Sequence, residues 1–145
     1  MKKIFTSLLI LICSTYVPSF GFTVTESIKV LKKYSASDLE TSKNRSKKQV
    51  GEKVQEMLST IHETVELVRV DAKNSSPELI RELVRVSSLT LKADPSEAAA
   101  EIILPLYNEQ KKAFEKALEE LPTKDRANFK ESLKNAAREA AEGNG

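Results

Sequence analysis

The chain has 145 residues, 40% hydrophobic and 30% charged, a length and balance that suit one small domain with its own apolar core. With one cysteine, one histidine and four glycines, it lacks the material for a disulfide framework, a zinc-thiolate site or a glycine-rich phosphate loop. Its 23 basic and 21 acidic residues leave a net charge of +2, too small to mark a nucleic-acid binder, and no aromatics interleave with the basic run.

Lys2 and Lys3 open the chain and an uncharged apolar run, Ile4 to Ile12, follows. Pro18 then breaks the run, and Ser19-Phe20-Gly21 places small residues two apart. A positive start, an apolar core and a small-x-small exit form the pattern of a secretory signal peptide, with cleavage expected between Gly21 and Phe22. The apolar core falls short of the roughly 20 residues of a membrane span. An uncleaved N-terminal anchor in the inner membrane is the alternative, and in both cases the lysines hold the N-terminus in the cytoplasm while the body is exported. The expected location is periplasmic or secreted. Cys13 does not mark a lipoprotein, because Ile12 before it is not small and the cysteine lies inside the apolar run. Cleavage would remove Lys2, Lys3 and Cys13 and leave a neutral, cysteine-free chain of 124 residues. A domain without staples must stand on its core.

The first predicted helix starts at Thr23, which is spaced from Glu26 as a capping box and followed by Val24, Ile28 and Leu31 on one face. The pattern fades at Tyr34. Ser35 to Lys48 is almost free of apolar residues and reads as a linker or a solvated helix start. The second helix is the clearest, with Val50, Val54, Met57, Ile61, Thr64 and Val68 stepping by four and three, and Leu58 and Val65 widening the stripe. That width suits a bundle helix better than a two-stranded coiled coil. Ser76 and Pro77 begin a third helix carrying Leu79, Ile80, Leu83, Val84 and Leu91. Asp94-Pro95-Ser96-Glu97 repeats the device, with Asp94 as cap of a fourth helix through Ile102, Leu106, Phe114, Leu118 and Leu121. Pro105 lies inside it and predicts a kink or break near Ile103. Thr123 is the expected cap of the last helix, with Phe129, Leu133, Ala137 and Ala140 on one face.

These signals predict an all-α fold, a small helical bundle or array of about four to five amphipathic helices after the signal peptide. The organisation reads as a signal peptide over 1–21, an N-terminal helix and polar basic linker over 22–48, and a helical domain over 49–145. Leu121-Pro122-Thr123-Lys124-Asp125-Arg126 resembles the Leu-Thr-x-x-Gln helix start of small helical periplasmic stress chaperones. Here a proline is inserted and Arg126 replaces the glutamine, so no residue role is carried over.

Catalytic constellations are sparse. His62-Glu63-Thr64-Val65-Glu66 has the start of a His-Glu-x-x-His zinc helix, but Glu66 stands where the second imidazole is needed. Ser59 stands where a di-metal Glu-x-x-His pair would need glutamate. His62 therefore reads as a boundary residue of an amphipathic helix. No cofactor or metal is expected, and no serine follows a glycine elbow. Charge is segregated along the chain. From Phe22 to Lys53 eight basic residues face four acidic ones, whereas from Ala93 to Gly145 eight face eleven. The cluster Lys43, Arg45, Lys47, Lys48 and Lys53 is the candidate contact for a protein partner or an anionic surface such as phospholipid or lipopolysaccharide.

The expectation is a non-catalytic exported protein that binds another macromolecule of the cell envelope: a client, an envelope complex or an inhibited enzyme. A self-associating structural module is the alternative, and a metal-dependent enzyme using His62 and Glu66 ranks below both.

Overall fold

A computed structural model of the chain describes residues 23–42 and 45–143. The segment read as a signal peptide, its expected cleavage point between Gly21 and Phe22, and Lys43 lie outside the described residues. Six α-helices account for most of the rest: α1 (Val24–Lys33), α2 (Lys47–Val70), α3 (Pro77–Ala93), α4 (Ala98–Glu109), α5 (Lys111–Glu119) and α6 (Thr123–Glu142). Two single turns of 3₁₀-helix, Ala36–Leu39 and Ala72–Asn74, join α1 to α2 and α2 to α3. No strand occurs among the described residues, and the fold is all-α. None of the described helices is long and apolar enough to cross a membrane.

Local chemistry explains where the first three helices begin. Thr23 Oγ1 accepts the Glu26 amide while the Glu26 carboxylate takes the Thr23 amide at 2.8 Å, a reciprocal capping box. Ser46 and Gln49 repeat the box for α2, which therefore starts inside the segment read as a linker. Ser76 accepts the Leu79 amide at 3.1 Å and Pro77 occupies the first turn of α3.

The last three helices depart from their sequence signals. Asp94 does not cap α4: its amide closes α3 on the Thr90 carbonyl, and its carboxylate takes both the amide and the hydroxyl of Ser96. The chain turns through Glu97, whose φ of 57° and ψ of 22° are left-handed, and α4 begins at Ala98. Pro105 does not break α4. The carbonyl it deprives of a donor belongs to exposed Glu101, and the helix runs on to Glu109. The break falls at Gln110 instead, where the Leu106 carbonyl accepts the Gln110 amide and the Gln110 carbonyl starts α5. The segment read as one helix is thus two, and the described residues hold six α-helices rather than the four to five expected. Thr123 is the first residue of α6 rather than its side-chain cap.

Helix α3 is the axis of the assembly and packs against each of the other five. That position accounts for its composition. Leu79, Ile80, Leu83, Val84 and Val86 are buried together with the small polar residues Ser87, Ser88 and Thr90, so the helix is enclosed on several sides. Around it lie Met57, Ile61, Val65 and Val68 of α2, Ile103 and Leu106 of α4, Phe114 and Leu118 of α5, and Phe129 and Leu133 of α6. Fully burying each such side chain stabilises the fold by about 1.5–3 kcal/mol.

Candidate binding face

Helices α4 and α6 pack so that a shallow groove runs over their outer junction. Glu101, Leu104 and Asn108 recur at helical spacing on α4, and Lys130, Lys134 and Ala137 do so on α6. Two hollows of about 230 and 280 Å³ meet at Leu104, which lines both. Tyr107, Leu133 and Ala137 floor the first, and Ala136 and Ala140 the second. The charges at the two ends are opposite: Lys130 and Lys134 border the first hollow, Glu101 and Glu139 the second.

The basic end is fixed by one carboxylate. Glu115 of α5 accepts the Tyr107 hydroxyl at 2.7 Å on Oε1 and Lys130 Nζ at 2.5 Å on Oε2, tying α4, α5 and α6 together. The Lys130 hydrogen bond, aided by that of Tyr107, holds Glu115 below the usual carboxylate range. Burial, then the Glu115 carboxylate, pushes the Tyr107 phenol from its ordinary 10.0 up to about 12. Tyr107 also meets Phe114 edge-on, with ring centroids 5.8 Å apart. Among the described residues Lys134 pairs with Glu131 alone, at 3.9 Å and largely in solvent, so its ammonium faces the groove with a weak partner.

The basic cluster of the N-terminal part is arranged differently. Arg45 donates to the Ser37 carbonyl and lies 3.8 Å from Asp38, folding the connector back on itself. Lys48 faces Glu52 at 3.8 Å along α2. Lys53 contacts Glu56 at 2.6 Å and sits 5.5 Å from the Tyr34 ring centroid. Lys47 is exposed and makes no such pair among the described residues. These cations lie near one another in sequence, but three of them face acids of their own neighbourhood.

His62 projects from the exposed side of α2 beside fully buried Ile61, and Glu66 one turn on is 3.6 Å from Arg69. Among the described residues no group of three His, Cys, Asp or Glu side chains is placed to hold a metal ion.

Sequence reasoning missed two anchors. Arg85 of α3 donates to the Tyr34 carbonyl at 2.8 Å and to the Leu31 carbonyl at 2.7 Å, capping the end of α1 from another helix. Tyr34, where the apolar pattern faded, is 5% exposed and its hydroxyl bonds Glu56 at 3.1 Å and Thr60 at 2.9 Å. Burial is the main cause raising its phenol above the ordinary value. The isolated aromatic at the end of the stripe was the available signal for this anchor.

No family model matches the chain, and neither a curated protein nor a solved structure matches it. The fold and its surface define a class, a small all-α domain with a charge-polarised groove.

Proposed function

We propose that this chain is a small exported, non-catalytic protein that binds another macromolecule of the cell envelope, and that the α4–α6 groove receives it. The partner we infer is an amphipathic helix of an envelope protein. Its apolar residues would fill the two hollows either side of Leu104, with an acidic residue beside Lys134 and a basic one beside Glu101. The observation that supports this reading is the pairing of half-open apolar side chains with opposite charges at the two ends. Among the described residues Val70 is the one large hydrophobic residue left mostly in solvent.

Site-specific photocrosslinking in the envelope of cells producing the full chain tests it. A crosslinker at Ala137 should give one defined protein adduct, abolished by Leu104→Glu, while a crosslinker at Lys29 of α1 should not. The charge reversal Lys134→Glu should weaken the adduct and Lys134→Arg should preserve it. An adduct at twice the chain mass would move the reading to self-association. Equal adducts at both positions, lipid or lipopolysaccharide adducts alone, or none at all would overturn it.

A further inference from the structure

The break between α4 and α5 has no cause in its own stretch of sequence. Leu106 to Ala113 contains no glycine or proline, and Asn108, Glu109, Lys111 and Lys112 around Gln110 are exposed. Gln110 alone leaves helical geometry there, at φ −127° and ψ 39°. Its side chain makes no cap bond to α5, glutamine is not a favoured capping residue, and no glycine closes α4. Helical bonding persists up to the break and resumes after it. The Gln110 amide reaches the Leu106 carbonyl at 2.9 Å, and the Phe114 amide reaches the Gln110 carbonyl at 3.2 Å.

Tertiary contacts impose the bend instead. Gln110 Oε1 accepts Ser75 Oγ at 2.6 Å, and Phe114 and Leu118 of α5 are fully buried where that helix packs on α3. The bend has a local cost. Lys111 and Lys112 open α5, so their amides have no acceptor within that helix, whereas a continuous helix would bond them to the Tyr107 and Asn108 carbonyls. Returning Gln110 to helical dihedrals would join α4 and α5 into one helix from Ala98 to Glu119, about 33 Å long. That rotation carries α5 and α6 away from their own α3. Phe114, Leu118, Phe129 and Leu133 would then meet water, a loss that only an equivalent apolar surface makes good.

We propose that Gln110 is a hinge through which two copies of this chain exchange α5 and α6. The occupant of the vacated face is a second copy, because the face is shaped by those four side chains and another copy presents them in the same arrangement. The exchange keeps the burial of the monomer, releases the Ser75 bond at each hinge, and gains the helical bonds of Lys111 and Lys112. The resulting dimer carries two α4–α6 grooves, each joining α4 of one chain to α6 of the other. It therefore presents two binding faces where the monomer presents one. The exchange itself does not rest on the groove reading above.

The test incubates the full chain at high concentration, under reducing conditions and in denaturant near its unfolding midpoint. The sample is then diluted and resolved by size-exclusion chromatography with light scattering. A dimer that survives dilution should appear, and in it the Lys111 and Lys112 amides should gain at least about tenfold protection from hydrogen exchange over the monomer. Gln110→Ala and Gln110→Gly both lose the Ser75 contact and differ in helix propensity, so Gln110→Ala should give severalfold more dimer. Lys112→Pro is compatible with the first turn of α5 but not with a continuous helix, and should lower the dimer fraction at least about tenfold. The Gln110 pair decides the matter if Lys112→Pro fails to fold. Absence of a dimer, a dimer that separates at once on dilution, unchanged exchange at Lys111 and Lys112, or equal dimer yields from Gln110→Ala and Gln110→Gly would overturn the proposal.

Discussion

The two ends of this domain are held onto the same central helix by different physics. Helix α1 buries Leu31, Ser27 and, just past its end, Tyr34, a small apolar contribution. Its attachment is correspondingly polar: Arg85 to two backbone carbonyls, Tyr34 to Glu56 and Thr60, and Lys32 to Glu78 at 2.5 Å. Helices α4 to α6 instead bury Ile103, Leu106, Phe114, Leu118, Phe129 and Leu133. Directional bonds fix where a lightly buried helix sits, whereas large apolar side chains supply most of the stability of the other half. Such a division makes stability uneven along the chain, with the N-terminal unit opening below the cost of global unfolding.

The contrast can be broken by substitution. Phe114→Ala should have the largest effect, lowering global stability by about 3–5 kcal/mol in chemical denaturation, because the ring is fully buried between α3 and α4 partners. Arg85→Ala should act locally. Losing two charge-assisted bonds to backbone carbonyls should weaken hydrogen-exchange protection of α1 by about 2 kcal/mol while α5 and α6 keep theirs. Equal loss of protection at both ends would refute the division. Tyr34→Phe removes only the hydroxyl and should cost about 1 kcal/mol, again read in α1 and the start of α2.

The smallest expected effect sharpens the comparison through pH. Tyr107 keeps its proton in the folded state up to about 12, whereas the unfolded phenol loses it near 10.0. The unfolded state therefore binds fewer protons between those values, so the contribution of Tyr107 is fully present below 10.0 and is lost as pH rises toward 12. Phenolate absorbance should show this late titration, and Tyr107→Phe should remove it. A Tyr107 that ionises with the unfolded value would mean that neither its burial nor the Glu115 bridge joining α4, α5 and α6 is maintained.

The same division separates what was legible in the sequence from what was not. The α2 stripe predicted its buried face, with Val54, Met57, Ile61, Thr64 and Val68 inside and Val50 half-buried. The Thr23 box and the Ser76-Pro77 start were equally legible, since every atom they need lies within one turn of chain. Glu97 was not, because its left-handed backbone is supported by Ser132 and Asn135, far along the sequence. Pro105 misled for a related reason: a proline penalty is local, but whether a helix survives it depends on what the surrounding packing returns. Gln110 carries no breaker signal of its own. Its side chain accepts Ser75 Oγ at 2.6 Å, another contact no short window can reveal. The groove at Leu104 was invisible for the same cause, as it exists only where two amphipathic faces meet.

One feature of the packing bears on how the molecule forms. Helices pack against the next but one, α1 on α3, α2 on α4, α3 on α5 and α4 on α6, and each of α1 to α4 also packs against the helix that follows it. Partners are thus seldom far apart along the chain, and loop closure before each docking step is short. A topology of that kind belongs with fast-folding helical proteins, on the order of microseconds to milliseconds, and it can assemble progressively as successive segments become available.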